Sequence, residues 1–308
     1  MRKQLIAAGV GALLVGLGTV GGAGLGTALA SSSATIAGCA PAQLHLYQPG
    51  QLTVATDSPA YTPWFEGNMP RNGKGIESAV AYAIAAQLGF TRHQVHWTIE
   101  PFDSSYAPGP KTFDFDINEI TVTSARAQAV TFSEGYYNDR EALITVKGDK
   151  MVKDHSPRQL RQYAYGDQVG TTSLAYIERK IRSIQTPAVY NNLNDVASAL
   201  SDHTISGFVT DTPTAQYMAA SGEVKHGVVV GQFPSTDEFY GLLLQKGDPL
   251  VSCLDKAITA LRSDGTLRRL QTKWLGIYEK IPTIQPKPAK AQGHWCSRTP
   301  ASPSRGPW

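Results

Sequence analysis

Arg126 is the first residue whose chemistry can be argued from its setting. It stands inside Asp114–Tyr137, DFDINEITVTSARAQAVTFSEGYY, with Thr121 and Thr123 just before it. Apolar Phe115 and Ile117 lead in, and aromatic Phe132, Tyr136 and Tyr137 follow. The stretch reads as a strand, a polar turn, a short helix and a second strand. An arginine held between a strand end and a helix start can meet a carboxylate through two parallel hydrogen bonds. On spacing alone it is equally an ordinary surface arginine. Gly170-Thr171-Thr172-Ser173 places a glycine and three hydroxyls before a helix, a setting that favours anions. Plain helix capping is the commoner use of such a run. Asp57, Thr121, Thr172 and Asp211 all fall where predicted strands end.

The elements that must carry these groups alternate. Leu52–Thr56 and Val95–Ile99 read as strands around an amphipathic helix, Ile76–Leu88, closed by Gly89. Ile76, Val80, Ile84 and Leu88 recur every four residues and mark its core face. Further strands are expected at Ala142–Val146, Ala164–Val169, Val189–Tyr190, Gly207–Asp211, Val228–Val230 and Tyr240–Leu244. Helices are expected after Ser156, up to Ile181, over Leu193–Leu200, from Pro213, over Leu250–Leu261 and over Leu267–Tyr278. Such alternation predicts parallel sheets covered on both faces, with ligands at the carboxyl ends of the strands. The aromatic, proline-rich loop Asp57–Phe65 must pack or line a pocket to be tolerated.

The chain has 308 residues, 17% charged and 42% hydrophobic, which suits a globular protein of one large or two medium domains. A net charge of +3 without a basic, aromatic stripe argues against nucleic acid as a partner. Arg2 and Lys3, an uncharged run to Ala30 and the Ala28-Leu29-Ala30 site read as an export signal, with an uncleaved anchor as the alternative. Ile36-Ala37-Gly38-Cys39 matches a lipobox, but Ser31–Ser33 separate it from the apolar run. Lipid on Cys39 would leave Cys253 and Cys296 as a pair, whereas cleavage after Ala30 would free Cys39 to pair with Cys253. Three cysteines without CxxC or adjacent histidines give no metal site, and no cofactor is expected.

In register, five segments resemble the family 3 extracellular solute-binding proteins, the polar amino-acid receptors of ABC importers. They are Leu52–Asp57 with Tyr61 and Pro63; Asp114 through Arg126 to Tyr137; Val169–Thr172; Gly207–Asp211; and Tyr240-Gly241 with Lys246–Asp248 and Asp264–Leu267. The resemblance implies an α/β, type II periplasmic-binding-protein fold, two doubly wound lobes joined by a two-stranded hinge. Lobe 1 would span 48–136 plus 234–281 and lobe 2 would span 137–233. A signal would occupy 1–30 (to 38 in a lipoprotein), a mobile tether 31–47 and a disordered tail 282–308. Arg126 would grip the ligand α-carboxylate, helped by Thr121 and Thr172; Asp211 would accept the α-ammonium; Tyr61 and Phe102 would flank the side chain. The implied partners are an amino acid and a membrane permease, for an exported monomer.

The departures are specific. Glu119 stands where the family has a small residue or serine, two positions before Thr121, so strand alternation would put both on one face. It either turns away or receives a cationic ligand group. Asp116 lies on the opposite face and is expected to be a solvated or hinge-side charge. Asp57 sits in a loop with one extra residue and is a weaker carry-over than Tyr61. A few relatives of this fold are dehydratases of cyclic acids, and Glu119 is the one candidate acid or base for that alternative.

Overall fold

The computed structural model describes residues 36–154, 156–234, 237–276 and 281–284. The expected export signal, Cys296 and the chain beyond 284 lie outside them.

Strand β1 (Leu52–Thr56) is buried along its whole length, as its apolar and β-branched sequence requires of a strand covered on both faces. Helix α1 (Ile76–Gln87) follows, then β2 (Val95–Ile99), the single turn α2 (Phe102–Ser105), β3 (Phe115–Asp116), the single turn α3 (Arg126–Ala129) and β4 (Thr131–Asn138). The chain then crosses to β5 (Glu141–Val146), α4 (Pro157–Leu160), β6 (Gly166–Gln168), α5 (Thr172–Tyr176), β7 (Ala188–Tyr190), α6 (Leu193–Ser201), β8 (Phe208–Asp211), α7 (Thr212–Ser221) and β9 (Gly227–Gln232). It returns through β10 (Phe239–Leu244), α8 (Val251–Ser263) and α9 (Thr266–Leu275).

Two sheet systems result. The first has the order β2-β1-β3-β10-β4, with β10 antiparallel to both neighbours. Period-two alternation divides its faces: Val54, Leu242 and Leu244 join a core with α1 and α8, while Ala55 and Leu243 join Phe113, Ile120 and Val130 beneath the opposite face. The second has the order β8-β5-β9, with β6 and β7 paired beside it through the Tyr165–Gly207 bridge. Ala142, Ile144 and Phe208 pack on α6 and α7, whereas Leu143 and Val209 face Leu160, Ile177 and Ile181.

The expectation of parallel sheets holds only in part. β1, β2 and β3 are parallel, as are β6 and β7, but β5 is antiparallel to both β8 and β9. The reason is the double crossing: each segment that changes sheets enters running against its neighbours. The expected tether is also corrected. Ile36, Leu44 and Leu46 pack on the first core, and Cys39 is fully buried in a disulfide with Cys253, 214 residues away. That bond leaves no Cys39 thiol for acylation. Closing so long a loop is worth roughly 2–5 kcal/mol. The tail differs at its start as well: Gln232 N donates to Pro282 O (2.9 Å) and Ile284 N to Gln232 O (2.7 Å), so Pro282–Ile284 run along β9.

Candidate functional site

The two sheet systems face each other across a cleft, and side chains from one reach into the other. Trp64 Nε1 donates to Thr214 Oγ1 at 2.7 Å, fully buried. Leu193 N donates to the Tyr61 hydroxyl at 3.1 Å, and the Thr121 and Thr172 hydroxyls lie 3.2 Å apart. Trp64 and Phe65 are buried, so the aromatic loop is accounted for by packing. Gly75 before α1 (φ +93°) makes this possible, because a Cβ there would come within 2.3 Å of Trp64 O.

Between the lobes lies a cavity of about 60 Å³. Asp57, Tyr61, Phe102, Glu119, Thr121, Thr172 and Asp211 all line it, as do Asn118, Asp139, Glu141, Asp167 and Ser173. Among the described residues, no Lys, Arg or His lines it. Six acids therefore share one cavity. Glu141 and Asp211 are directly paired across the antiparallel β5–β8 ladder, where like charges repel. Glu119, Asp139, Asp167 and Asn118 each carry a buried polar atom without a hydrogen-bond partner: Oε1, Oδ1, Oδ2 and Nδ2. Buried polar atoms are rarely left so.

Burial raises the pKa of these acids. Desolvation, then the charges of Asp211 and Glu77, hold Glu119 well above the usual carboxylate range. Desolvation and Asp211 do the same for Asp139; desolvation and Asp139 do it for Glu141. Asp211 is pushed up to about 6 by burial, against hydrogen bonds from Thr214 and Thr210 that favour its charged form. Asp211 Oδ1 also caps α7 by accepting from Thr214 N at 2.9 Å.

Arg126 lies beside this cavity and is not among its lining residues. It is 9% exposed. Nη1 donates to Thr121 O (2.7 Å) and Nη2 to Gly170 O across the cleft (2.9 Å). Its guanidinium carbon is 4.7 Å from the Tyr106 ring and 5.4 Å from the Phe102 ring. Desolvation lowers its pKa, with Tyr106 acting in the opposite sense. Gly170 (φ +75°) is placed so closely that a Cβ would overlap the Tyr106 hydroxyl.

Glu119 reaches the cavity by a route strand alternation does not describe. β3 ends at Asp116, and Glu119 adopts a left-handed φ of +52°, held by its N–H donating to Glu77 Oε1 at 2.7 Å. Asp116 is not solvated. It sits mid-sheet between β1 and β10, fully buried, with neither carboxylate oxygen hydrogen-bonded. Asp57 accepts from Ser58 N at 2.6 Å and borders the cavity despite the extra loop residue.

Several participants escaped sequence reasoning. Glu77 is wholly buried behind Glu119, accepts from the Tyr136 hydroxyl, and has its pKa pushed up to about 8 by desolvation. Its signal was present, since positions 77, 80, 81 and 84 share one helix face with the core. Asp139 and Glu141 flank the crossing from β4 to β5, where the chain gives no periodicity to read. Asp167 sits in a strand of three residues.

Two α/β lobes crossed twice by the chain, with polar side chains converging between them, define the type II periplasmic-binding-protein class. Residues 52–277 match the bacterial extracellular solute-binding proteins, family 3, and the chain belongs to that family. A probable histidine-binding protein of Neisseria gonorrhoeae is 22% identical over 81% of this chain and 94% of its own length. The solved structure of an ancestral arginine-binding protein bound to glutamine is 26% identical, with a TM-score of 0.64, over 74% of this chain and 99% of the other. That of an ancestral amino acid-binding protein, a precursor of cyclohexadienyl dehydratase, is 27% identical with a TM-score of 0.62, over 73% and 95%.

Proposed function

We propose that this protein is an exported receptor that binds a cationic amino acid between its lobes and presents it to a membrane permease. The observation that carries the reading is the cavity lined, among the described residues, by six acids and no basic side chain. Buried carboxylates without counter-charge are costly. A ligand with more than one positive centre relieves that cost, and a neutral or acidic one does not. Relatives described as histidine-, arginine-, glutamine- and cystine-binding support an amino-acid ligand.

In this reading Asp211 takes the α-ammonium, and Glu119 with Asp57 takes the side-chain cation. Tyr61 and Phe102 flank the aliphatic stem. Arg126 has five N–H donors, of which two serve Thr121 O and Gly170 O. The remainder, with the Thr121 and Thr172 hydroxyls, meet the α-carboxylate. Lobe 1 is taken as 48–136 plus 234–281 and lobe 2 as 137–233. The Trp64–Thr214 and Tyr61–Leu193 bonds belong to the closed form, which is the form a permease would select. No covalent step is assigned. A dehydratase of cyclic acids would have to set its substrate's carboxylates among these acids.

Calorimetric titration of lysine and arginine tests the reading. Asp211→Asn keeps a capping oxygen for α7 but removes the charge, and is expected to weaken binding by about 2–4 kcal/mol, or roughly 30- to 1000-fold. Arg126→Ala is expected to cost as much. Unchanged affinity in both variants would overturn the assignment.

A further inference from the structure

Asp139, Glu141 and Glu238 stand where the two chain crossings between the lobes meet. Asp139 and Glu141 follow β4 on the outward crossing, and Glu238 precedes β10 on the return. Asp139 N donates to Glu238 O at 3.0 Å, which ties the crossings together. One carboxylate oxygen from each of the three residues lies within 4.8 Å of the other two. Asp139 is 2% exposed, and its Oδ1 has no hydrogen-bond partner. Both oxygens of the Glu141 carboxylate accept from a neutral donor, the Ser173 hydroxyl, at 3.0 and 2.9 Å. Glu238 is half-buried and gives the cluster an edge toward solvent.

We propose that Asp139, Glu141 and Glu238 form a hinge site for a hard divalent cation, calcium in particular. The donor set is all carboxylate oxygen, without sulfur or imidazole, which favours calcium or magnesium over zinc or copper. Three protein carboxylates suit calcium better, because magnesium dehydrates reluctantly and is usually held by one or two carboxylates. Such an ion holds both crossings at one point, so it sets the geometry about which the lobes close. It also neutralises part of the acidic wall, leaving Asp57, Glu119, Asp167 and Asp211 to the organic ligand.

The test uses chelator-treated full-length protein with no amino acid present. Calcium at 100 times its dissociation constant is expected to raise the Tm by about 5–10 °C, with one ion bound per chain and a weaker response to magnesium. Asp139→Asn and Glu238→Gln are each expected to lose the calcium response, while the exposed Asp202→Asn keeps it. Two variants are used so that a folding failure in one leaves the other decisive. No calcium response in the wild type, or an equal response in both site variants, overturns the proposal. So does a loss of lysine affinity in Asp139→Asn unaccompanied by any calcium effect, because that result gives the trio to the amino-acid pocket. The amino-acid reading itself is unaffected by failure here, since its readout is lysine binding at fixed calcium.

Discussion

The two ends of the cleft treat charge in opposite ways. At the Arg126 end a single cation is nearly buried yet well served: two carbonyl oxygens accept from it, and two aromatic rings border it. At the Asp211 end several anions are buried with neutral donors or none, and Glu119, Asp139 and Asp167 each keep an oxygen unpartnered. The cation already has neutral acceptors and rings around it, whereas several of the acids have no partner on one oxygen. The positively charged part of the ligand therefore has the most to contribute, and specificity should reside in the acids.

Glu119 is the sharpest place to break that contrast. Glu119→Gln removes one carboxylate from the cavity but keeps its shape. The expected result is a loss of about tenfold or more for lysine and arginine, with neutral amino acids gaining, read by competitive calorimetry. Equal losses for cationic and neutral ligands would mean that Glu119 serves the fold and not the choice of ligand.

The pH dependence comes next. Asp211 is raised from 3.8 to about 6 and Glu77 from 4.5 to about 8. An acid whose folded pKa is raised binds more protons folded than unfolded, so ligand-free stability falls as pH climbs from about 4 to about 8. Affinity for a cation moves the other way. Below pH 6 Asp211 must give up a proton to bind, and affinity should fall about tenfold between pH 7 and pH 5. Tm and titration series across that range check both signs.

Trp64→Phe is the smallest expected effect. It removes the buried bond to Thr214, worth about 1 kcal/mol, from a contact between the lobes. Ligand affinity is expected to fall about fivefold through the closing equilibrium, without a change in preference among amino acids.

How much of this was legible in the sequence depended on periodicity. α1, β1, β5 and β10 could be read because burial on a regular element leaves a period of 3.6 or 2. Arg126 and Asp211 were legible through the register of their flanking segments. The direction of β5 was not, because strand patterns do not record whether a neighbour runs parallel. Asp116 reads as exposed because two buried residues of β3 look like any polar–apolar alternation. Glu119 was noticed by type, but its left-handed backbone arises from the buried Glu77 carboxylate, 42 residues earlier. The acidity of the cleft, gathered from elements scattered between Asp57 and Asp211, exists only after folding. Of the cysteine alternatives, the one joining Cys39 to Cys253 is the one observed.

The cavity is expected to select positive charge on the ligand side chain. Titrating arginine and its neutral isostere citrulline against the same protein at pH 7.5 tests it at nearly constant size. Arginine is expected to bind at least 100-fold more tightly, about 2.7 kcal/mol, as loss of one buried charge pair implies. Equal affinities, or tighter binding of citrulline or glutamate, would contradict selection for positive charge.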